Sequence, residues 1–335
     1  MPRVAVIGAG DVSTIHFEAI AAIDGAELVA VCDTDPGRLA SASEAHGVPG
    51  YADVAAMLDE VRPDVVHVCT PHNQHADPAI AALERGINVI SEKPLASTLA
   101  DGERLAAAAA ASTARIGICF QNRYNQAVQV MASRLASGEF GAVQGGSGTV
   151  MWSRDAAYYE NRPWRGTWAG GGGGLLMNQA IHTLDLLQWM MGEVASVSGH
   201  AATHALGDAI DVEDTAELVL THGNGVRSVF YATLANSVNA PITVDIVAEK
   251  ATLHLRGDLT ITHADGRVEL VAERRAASGG RDYWGVSHQL LIEDFYSQLG
   301  QDGPFWIDPV EARKSLRIIK DVYAQSYPDA LEQVS

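Results

Sequence analysis

The segment VAVIGAGDVS, Val4 to Ser13, continuing through TIHFEAIAAIDGA into ELVAVCD, Glu27 to Asp33, decides the fold of the first part of this chain. Val4 to Ile7 is a short apolar run of the kind that a parallel sheet buries on both faces. Beyond Gly8 and Gly10 the apolar positions Ile15, Ala19, Ala22 and Ile23 recur at helical spacing. Asp24-Gly25 stops that helix before a second strand, Glu27 to Cys32. The result is a βαβ unit. Gly8 permits a tight turn, Gly10 lets a pyrophosphate approach the backbone, and Asp11-Val12 lead into a helix start whose free N–H groups favour an anion. Ser13 replaces the third glycine of the usual fingerprint and is small enough for the helix to pack closely on the strand. Asp33 closes the second strand, where a carboxylate accepts hydrogen bonds from ribose hydroxyls and repels a 2′-phosphate, so NAD is expected in preference to NADP. The competing use of Asp33 is to cap the helix starting near Pro36, which Asp35 does equally well.

The alternation continues, with helices expected at 36–46, 54–58, 78–85 and 99–111 and strands at 65–69, 87–90 and 116–120. This pattern is that of a doubly wound parallel sheet over residues 1–121. Ligands bind such sheets beyond the carboxyl ends of the strands, which brings Gly10, Asp33, Thr70-Pro71 and Glu92-Lys93 to one crevice. His72 and His75 have the spacing of a metal pair, but no carboxylate cluster accompanies them, and no metal is expected.

A chain of 335 residues with 47% hydrophobic side chains has enough apolar mass for two domains. The net charge of −18, with Lys and Arg scattered, argues against nucleic acid and anionic lipid as partners. The start MPRVAVIGAG lacks a basic segment followed by a long apolar run, and nothing supplies the ~20 apolar residues of a membrane span, so a cytoplasmic protein is expected. Cys32, Cys69 and Cys119 each end an apolar run and read as reduced core thiols.

The second half, 122–335, turns on GGGGGLLMNQAIHTLD, Gly170 to Asp185. Five glycines lead into an apolar helix, expected over 175–191, that carries Asn178, His182 and Asp185 on one face. An amide, an imidazole and a carboxylate in such a row need partners, and a polar ligand is one. The glycines allow the backbone close to a bound molecule; the alternative is a flexible linker before a core helix. Strands at 143–152, 194–202, 215–220, 226–234, 244–248, 251–255, 259–262 and 268–271 make a sheet, one face covered by that helix and the other, if apolar, expected to be closed by a second copy of the chain. Between Trp152 and Trp168 lie Arg154, Tyr158, Tyr159, Arg162, Trp164 and Arg165, flat rings and guanidinium groups suited to a sugar or its anionic substituents. Those tryptophans serve equally to anchor a long loop. Trp284 and His288 open another helix that can face the same pocket, and Asp308-Pro309 with Glu311 starts a structural helix over 309–325, which can pack back on the first domain.

Taken together, the Gly-x-Gly unit, Thr70-Pro71 with His75, Glu92-Lys93-Pro94, and Gly172-Gly173-Gly174 leading to His182 and Asp185 resemble the Gfo/Idh/MocA family of oxidoreductases over essentially the whole chain. The resemblance implies an N-terminal Rossmann domain and a C-terminal α/β domain with a large, mostly antiparallel open sheet, used for substrate binding and assembly as a homodimer or homotetramer. It implies a carbinol of a sugar, sugar derivative or cyclitol as substrate. It adds His75 to the cofactor residues Gly8, Gly10, Asp11, Val12, Asp33, Thr70, Pro71, Glu92 and Lys93, and it matches Lys93 and His182 to the family's catalytic lysine and histidine. Asn178 stands where many members carry Asp. In this reading His182 is the base, oriented by Asp185, Lys93 polarises the oxygen, with those two roles open to reversal, and Asn178, Trp152, Tyr158, Arg162 and Trp164 hold the sugar. Two other readings stay open: a redox-neutral glycosidase using tightly bound NAD through a transient ketone, and a non-catalytic sensor of NAD and sugar.

Overall fold

The computed structural model describes residues 2–273 and 287–332; Trp284 lies outside them. Its strands are β1 (Arg3–Ile7), β2 (Glu27–Cys32), β3 (Gly50–Tyr51), β4 (Val65–Val68), β5 (Asn88–Ser91), β6 (Ile116–Ile118), β7 (Val143–Met151), β8 (Val194–Ala202), β9 (Thr215–His222), β10 (Arg227–Thr233), β11 (Thr243–Ala248), β12 (Ala251–Arg256), β13 (Asp258–His263) and β14 (Val268–Val271). The chain divides into two compact units, Met1–Gln121 with Tyr283–Arg313, and Asn122–Asp282 with Lys314–Ser335.

In the first unit six strands form a parallel sheet in the order β3-β2-β1-β4-β5-β6. The central strands are mainly apolar because helices cover both faces: Val4, Ala5, Val6, Val65, Val66 and Val68 are fully buried, and His67 is the buried polar exception on β4. The order reverses between β1 and β4, which is where such sheets bind ligands. Residues 283–313 group with this unit, whereas the sequence reading runs the second domain unbroken from 122 to the end. The cause is partly Arg115, whose guanidinium donates to the carbonyls of Gln298 (2.7 Å), Gly303 (2.8 Å) and Asp302 (3.1 Å). Gly117 adds to it: a Cβ there would press on Phe305 and Phe295 at 2.9 and 3.0 Å.

The second unit holds an eight-stranded sheet in the order β14-β13-β12-β11-β7-β10-β9-β8, antiparallel except for the β7–β10 pair. Strand β10 alternates as its period demands, with Ser228, Phe230 and Ala232 inward and Val229 and Tyr231 outward. The helix Ile181–Met191 lies on the inner face, where Gly146 and Gly148 leave room for Met191, Phe230 and Thr183. The helix expected over 175–191 begins instead with a π-helical turn, Leu176–Ala180, so its first polar residue does not sit at α-helical register with the rest.

Candidate active site

The phosphate-binding turn is built from β1 and the helix Ser13–Ala22. Gly8 has φ +94°, and a Cβ there would collide with the Cys69 carbonyl at 2.7 Å, so only glycine lets β1 end against β4. A Cβ on Gly10 would meet nothing within 4 Å, which leaves open space over the turn. The helix start has no side-chain cap at Val12, and Ser13 is turned back to donate to the Gly10 carbonyl at 2.7 Å. Open space above uncapped N–H groups is what a pyrophosphate needs, and these residues fit a dinucleotide.

Asp33 is buried at the end of β2, its carboxylate accepting from the Ala9 N–H (2.7 Å) and the Asp35 N–H (2.8 Å). The helix cap belongs to Asp35, which accepts from the Arg38 N–H at 2.8 Å. Arg38, which the sequence reading passes over, holds its guanidinium 3.4 Å from Asp33. A cation beside this carboxylate bears on cofactor choice, since arginine is what receives a 2′-phosphate.

Two further residues expected at the cofactor are corrected by their contacts. The His75 ring is buried, with Nδ1 2.7 Å from the Pro94 carbonyl and Nε2 2.9 Å from the Thr70 carbonyl. It ties the Thr70-Pro71 turn to the Glu92-Lys93-Pro94 loop, and burial lowers its pKa while the two carbonyls act the other way. Glu92 is buried as well, accepting from His16 Nε2 (3.1 Å), His288 Nε2 (3.2 Å) and the Lys93 N–H (3.3 Å). His16 Nδ1 in turn lies 2.8 Å from His67 Nδ1, and His67 Nε2 lies 2.8 Å from the Tyr296 hydroxyl. Burial pulls the His16 and His67 pKa values down, and the bonds from His16 and His288 hold Glu92 well below the usual carboxylate range against its own burial. The ligand atoms of His16, Glu92 and His288 lie within 4.8 Å of one another, but each imidazole is already joined to the carboxylate by a hydrogen bond. No spacing in the sequence marks this cluster, because its five members come from four separate parts of the chain, His288 and Tyr296 sharing one helix.

In the second unit the glycine tract contacts the protein itself. A Cβ on Gly170 would strike Trp164 at 2.8 Å, one on Gly173 (φ +146°) the Tyr323 hydroxyl at 2.3 Å, and one on Gly174 the Glu213 carbonyl at 2.1 Å. Glu213, fully buried, accepts from the Gly174 N–H (2.8 Å), the Leu176 N–H (2.7 Å) and the Tyr323 hydroxyl (2.7 Å). Lys320 donates to the Gly172 carbonyl at 2.6 Å, and burial brings its pKa down to about 8. The closeness that the glycines permit is therefore to Trp164, Tyr323 and Glu213, and the linker alternative fails because the tract is clamped.

From Gly171 to Gln188 every residue is buried except Asn178 and His182. Asp185 is not the partner that orients His182. Its carboxylate takes a bidentate pair from Arg123 (both 2.7 Å) and a bond from Ser315 (3.1 Å), and His182 is not among its described partners. A buried Arg–Asp pair satisfies both charges, and removing one partner typically costs about 3–5 kcal/mol. Asp185 is thus a core anchor of the helix.

The Tyr158 hydroxyl accepts from Asn178 (3.3 Å) and Gln179 (3.2 Å), and the guanidinium groups of Arg154 and Arg165 stand 5.1 and 4.9 Å from its ring centre. Trp152 donates to the Ala240 carbonyl (3.0 Å), Trp168 to the Asp211 carbonyl (2.9 Å), and Arg162 to the Asn161 carbonyl (2.7 Å). Trp152, expected on the sugar, thus has an anchoring contact, whereas Tyr158 stands beside Asn178.

Residues 2–120 match the oxidoreductase family with an NAD-binding Rossmann fold, and residues 128–254 match the Gfo/Idh/MocA C-terminal domain. The chain belongs to the Gfo/Idh/MocA oxidoreductase family. It is 32% identical to D-apiose dehydrogenase of Paraburkholderia graminis over 78% of this chain and 70% of that one. With myo-inositol 2-dehydrogenase of Thermotoga maritima it shares 30% identity over 68% and 67% of the two chains. Among solved structures it is similar to the WlbA dehydrogenase of Bordetella pertussis in complex with NADH and UDP-GlcNAcA, with a TM-score of 0.84, 31% identity and coverage of 98% and 96%. Among the described residues no helix is long and apolar enough to cross a membrane.

Proposed function

We propose that this family member transfers a hydride between a secondary alcohol of a sugar, sugar derivative or cyclitol and NAD, with Lys93 and His182 both acting at the reacting oxygen. The observation that carries the reading is the burial pattern of the second unit: along eighteen residues, the chain lets only an amide and an imidazole, Asn178 and His182, reach the surface. On a helix otherwise buried along this length, these two polar groups are the ones a polar ligand can partner. The names of the relatives, dehydrogenases of apiose and myo-inositol, support the substrate class.

The dinucleotide is held by Gly8, Gly10, Asp11 and Val12 at the pyrophosphate and by Asp33 at the adenosine ribose, with Thr70 and Pro71 beside it. Bound NAD supplies the hydride acceptor, nicotinamide C4. Of Lys93 and His182, one takes the hydroxyl proton and the other steadies the charge left on oxygen. Asn178 and Tyr158 hold neighbouring hydroxyls. With Asp185 engaged by Arg123, the orienting role expected of Asp185 is taken away, and either Lys93 or His182 can be the base.

A panel of sugars and cyclitols incubated with NAD, followed at the NADH absorbance, tests this reading. The expected result is stoichiometric NADH with at least one of them. Cleavage of a glycoside with no NADH accumulating would replace it by the redox-neutral glycosidase.

A further inference from the structure

Arg154 stands just beyond β7, its backbone N–H donating to the Leu234 carbonyl at 3.1 Å and its guanidinium carbon lying 5.1 Å from the Tyr158 ring centre and 5.3 Å from that of Trp152. A guanidinium offers five N–H donors on a rigid plane and no acceptor. The protein uses one end of this plane. Nη1 donates to the Ser153 carbonyl (2.7 Å) and to the Asn239 side-chain oxygen (2.9 Å), while Nε is buried and nothing among the described residues accepts from it. Nε and Nη2 together form an edge that meets two oxygens of a carboxylate or a phosphate. The neighbouring carboxylates do not serve that edge: Asp155 accepts from the Tyr158 N–H at 3.1 Å as the cap of the helix Ala156–Glu160, and Glu160, which ends it, is exposed. Tyr158 ties Arg154 to the site, since its hydroxyl accepts from Asn178 at 3.3 Å, the amide that with His182 reaches the surface. Arg162 and Arg165 fall within the same twelve residues, the Arg165 guanidinium 4.9 Å from the Tyr158 ring centre, so a chain of net charge −18 gathers three cations here.

We infer that the Nε–Nη2 edge of Arg154 receives an oxyanion, carboxylate or phosphate, carried by the substrate, so that the alcohol oxidised belongs to an acidic sugar or cyclitol derivative. The inference rests on the proposed dehydrogenase function and narrows its substrate class. A cationic N–H taken out of water without an acceptor is costly, and an oxyanion both satisfies Nε and balances the charge through hydrogen bonds about twice as strong as a neutral hydroxyl would make. The rings of Trp152 and Tyr158 and the two bonds from Nη1 hold the plane in place beforehand, so little side-chain freedom is lost on binding. Arg154 binds and does not take part in hydride transfer, so its effect belongs in KM rather than kcat.

The test pairs acids with neutral sugars of the same ring: D-glucuronate and D-glucose 6-phosphate against D-glucose, and D-galacturonate against D-galactose, with NADH formation followed in each. The wild type is expected to prefer at least one acid to its neutral partner tenfold or more in kcat/KM, and which acid is preferred tells carboxylate from phosphate. Arg154→Gln should bring that ratio close to one by raising KM for the acid, with NAD affinity kept. Arg154→Lys, which keeps the charge and loses the fork, should fall between, and it carries the comparison if the Gln variant does not fold. Calorimetric titration of the NADH-bound protein with the same acids needs no turnover, and binding should weaken tenfold or more in Arg154→Gln. Neutral sugars used as well as every acid, or an acid preference that both variants keep, would overturn the subsite and leave the dehydrogenase reading standing. NADH from no compound, together with acid binding that depends on Arg154, would refute the dehydrogenase reading and keep the oxyanion subsite; no acid bound at all would overturn the subsite.

Discussion

Asp33 shows how one carboxylate answers to several neighbours. It accepts from the backbone of Ala9 and Asp35, which fixes it at the end of β2, and it faces Arg38 at 3.4 Å. With Asp33 in place the arginine is balanced and a 2′-phosphate meets a carboxylate, so NAD should bind at least tenfold more tightly than NADP, a difference of ~1.4 kcal/mol. Asp33→Ser leaves Arg38 alone and should narrow or reverse that gap. Calorimetric titration of both dinucleotides decides it, and equal affinities in the wild type would contradict the role given to Asp33. Ile7 to Asp11 shows the other side of residue-scale reading: Gly8 is required by the strand behind it and Gly10 by the space in front.

At the scale of elements, the glycine tract and the C-terminal helix Pro309–Ser326 act together, through Lys320 and Tyr323. Lys320 has its pKa lowered to about 8 from 10.5, so between those values the unfolded chain binds the proton and the folded one does not. Stability contributed at this position therefore rises with pH across that window, and the burial penalty is full below it. The difference in unfolding free energy between wild type and Lys320→Met, read by urea at about pH 7 and about pH 10, should shift in favour of the wild type at the higher pH. A difference independent of pH would mean that Lys320 titrates normally. Most elements were legible beforehand: the helices at 36–46 and 99–111 and strands such as β2, β8 and β14 coincide with their sequence patterns because caps, glycines and apolar periods agree there. Others were not. The π-helical turn has the composition of an α-helix, β3 is two residues long, and the helix Gln126–Ala136 lacks a strong start signal, its Asn125 making no side-chain cap. At the site, Lys93, His182, Asn178 and Asp33 follow from spacing and resemblance, whereas the clamp of Glu213 and Lys320, the Arg123–Asp185 pair and the His16–His67 contact join residues 39 to 148 positions apart, separations that no local pattern encodes.

Across the whole molecule, the eight-stranded sheet leaves apolar side chains in the open on the face away from the helix Ile181–Met191: Val229 is 53% exposed and Tyr231 40%. A second copy of the same sheet, related by two-fold symmetry, is expected to cover these side chains. Light scattering at micromolar concentration should return a dimer or tetramer, and a monomer would contradict this. The central proposal is that Lys93 and His182 act on one oxygen. Its most direct test is a double-mutant cycle on turnover with the substrate found by the panel. Lys93→Ala and His182→Ala should each lower turnover at least a hundredfold, about 2.7 kcal/mol in the barrier, with NAD affinity kept within a few fold. The double variant should be little worse than either alone, because groups that act as a unit lose their value together. Additive losses, or near-normal turnover in either single variant, would contradict the account.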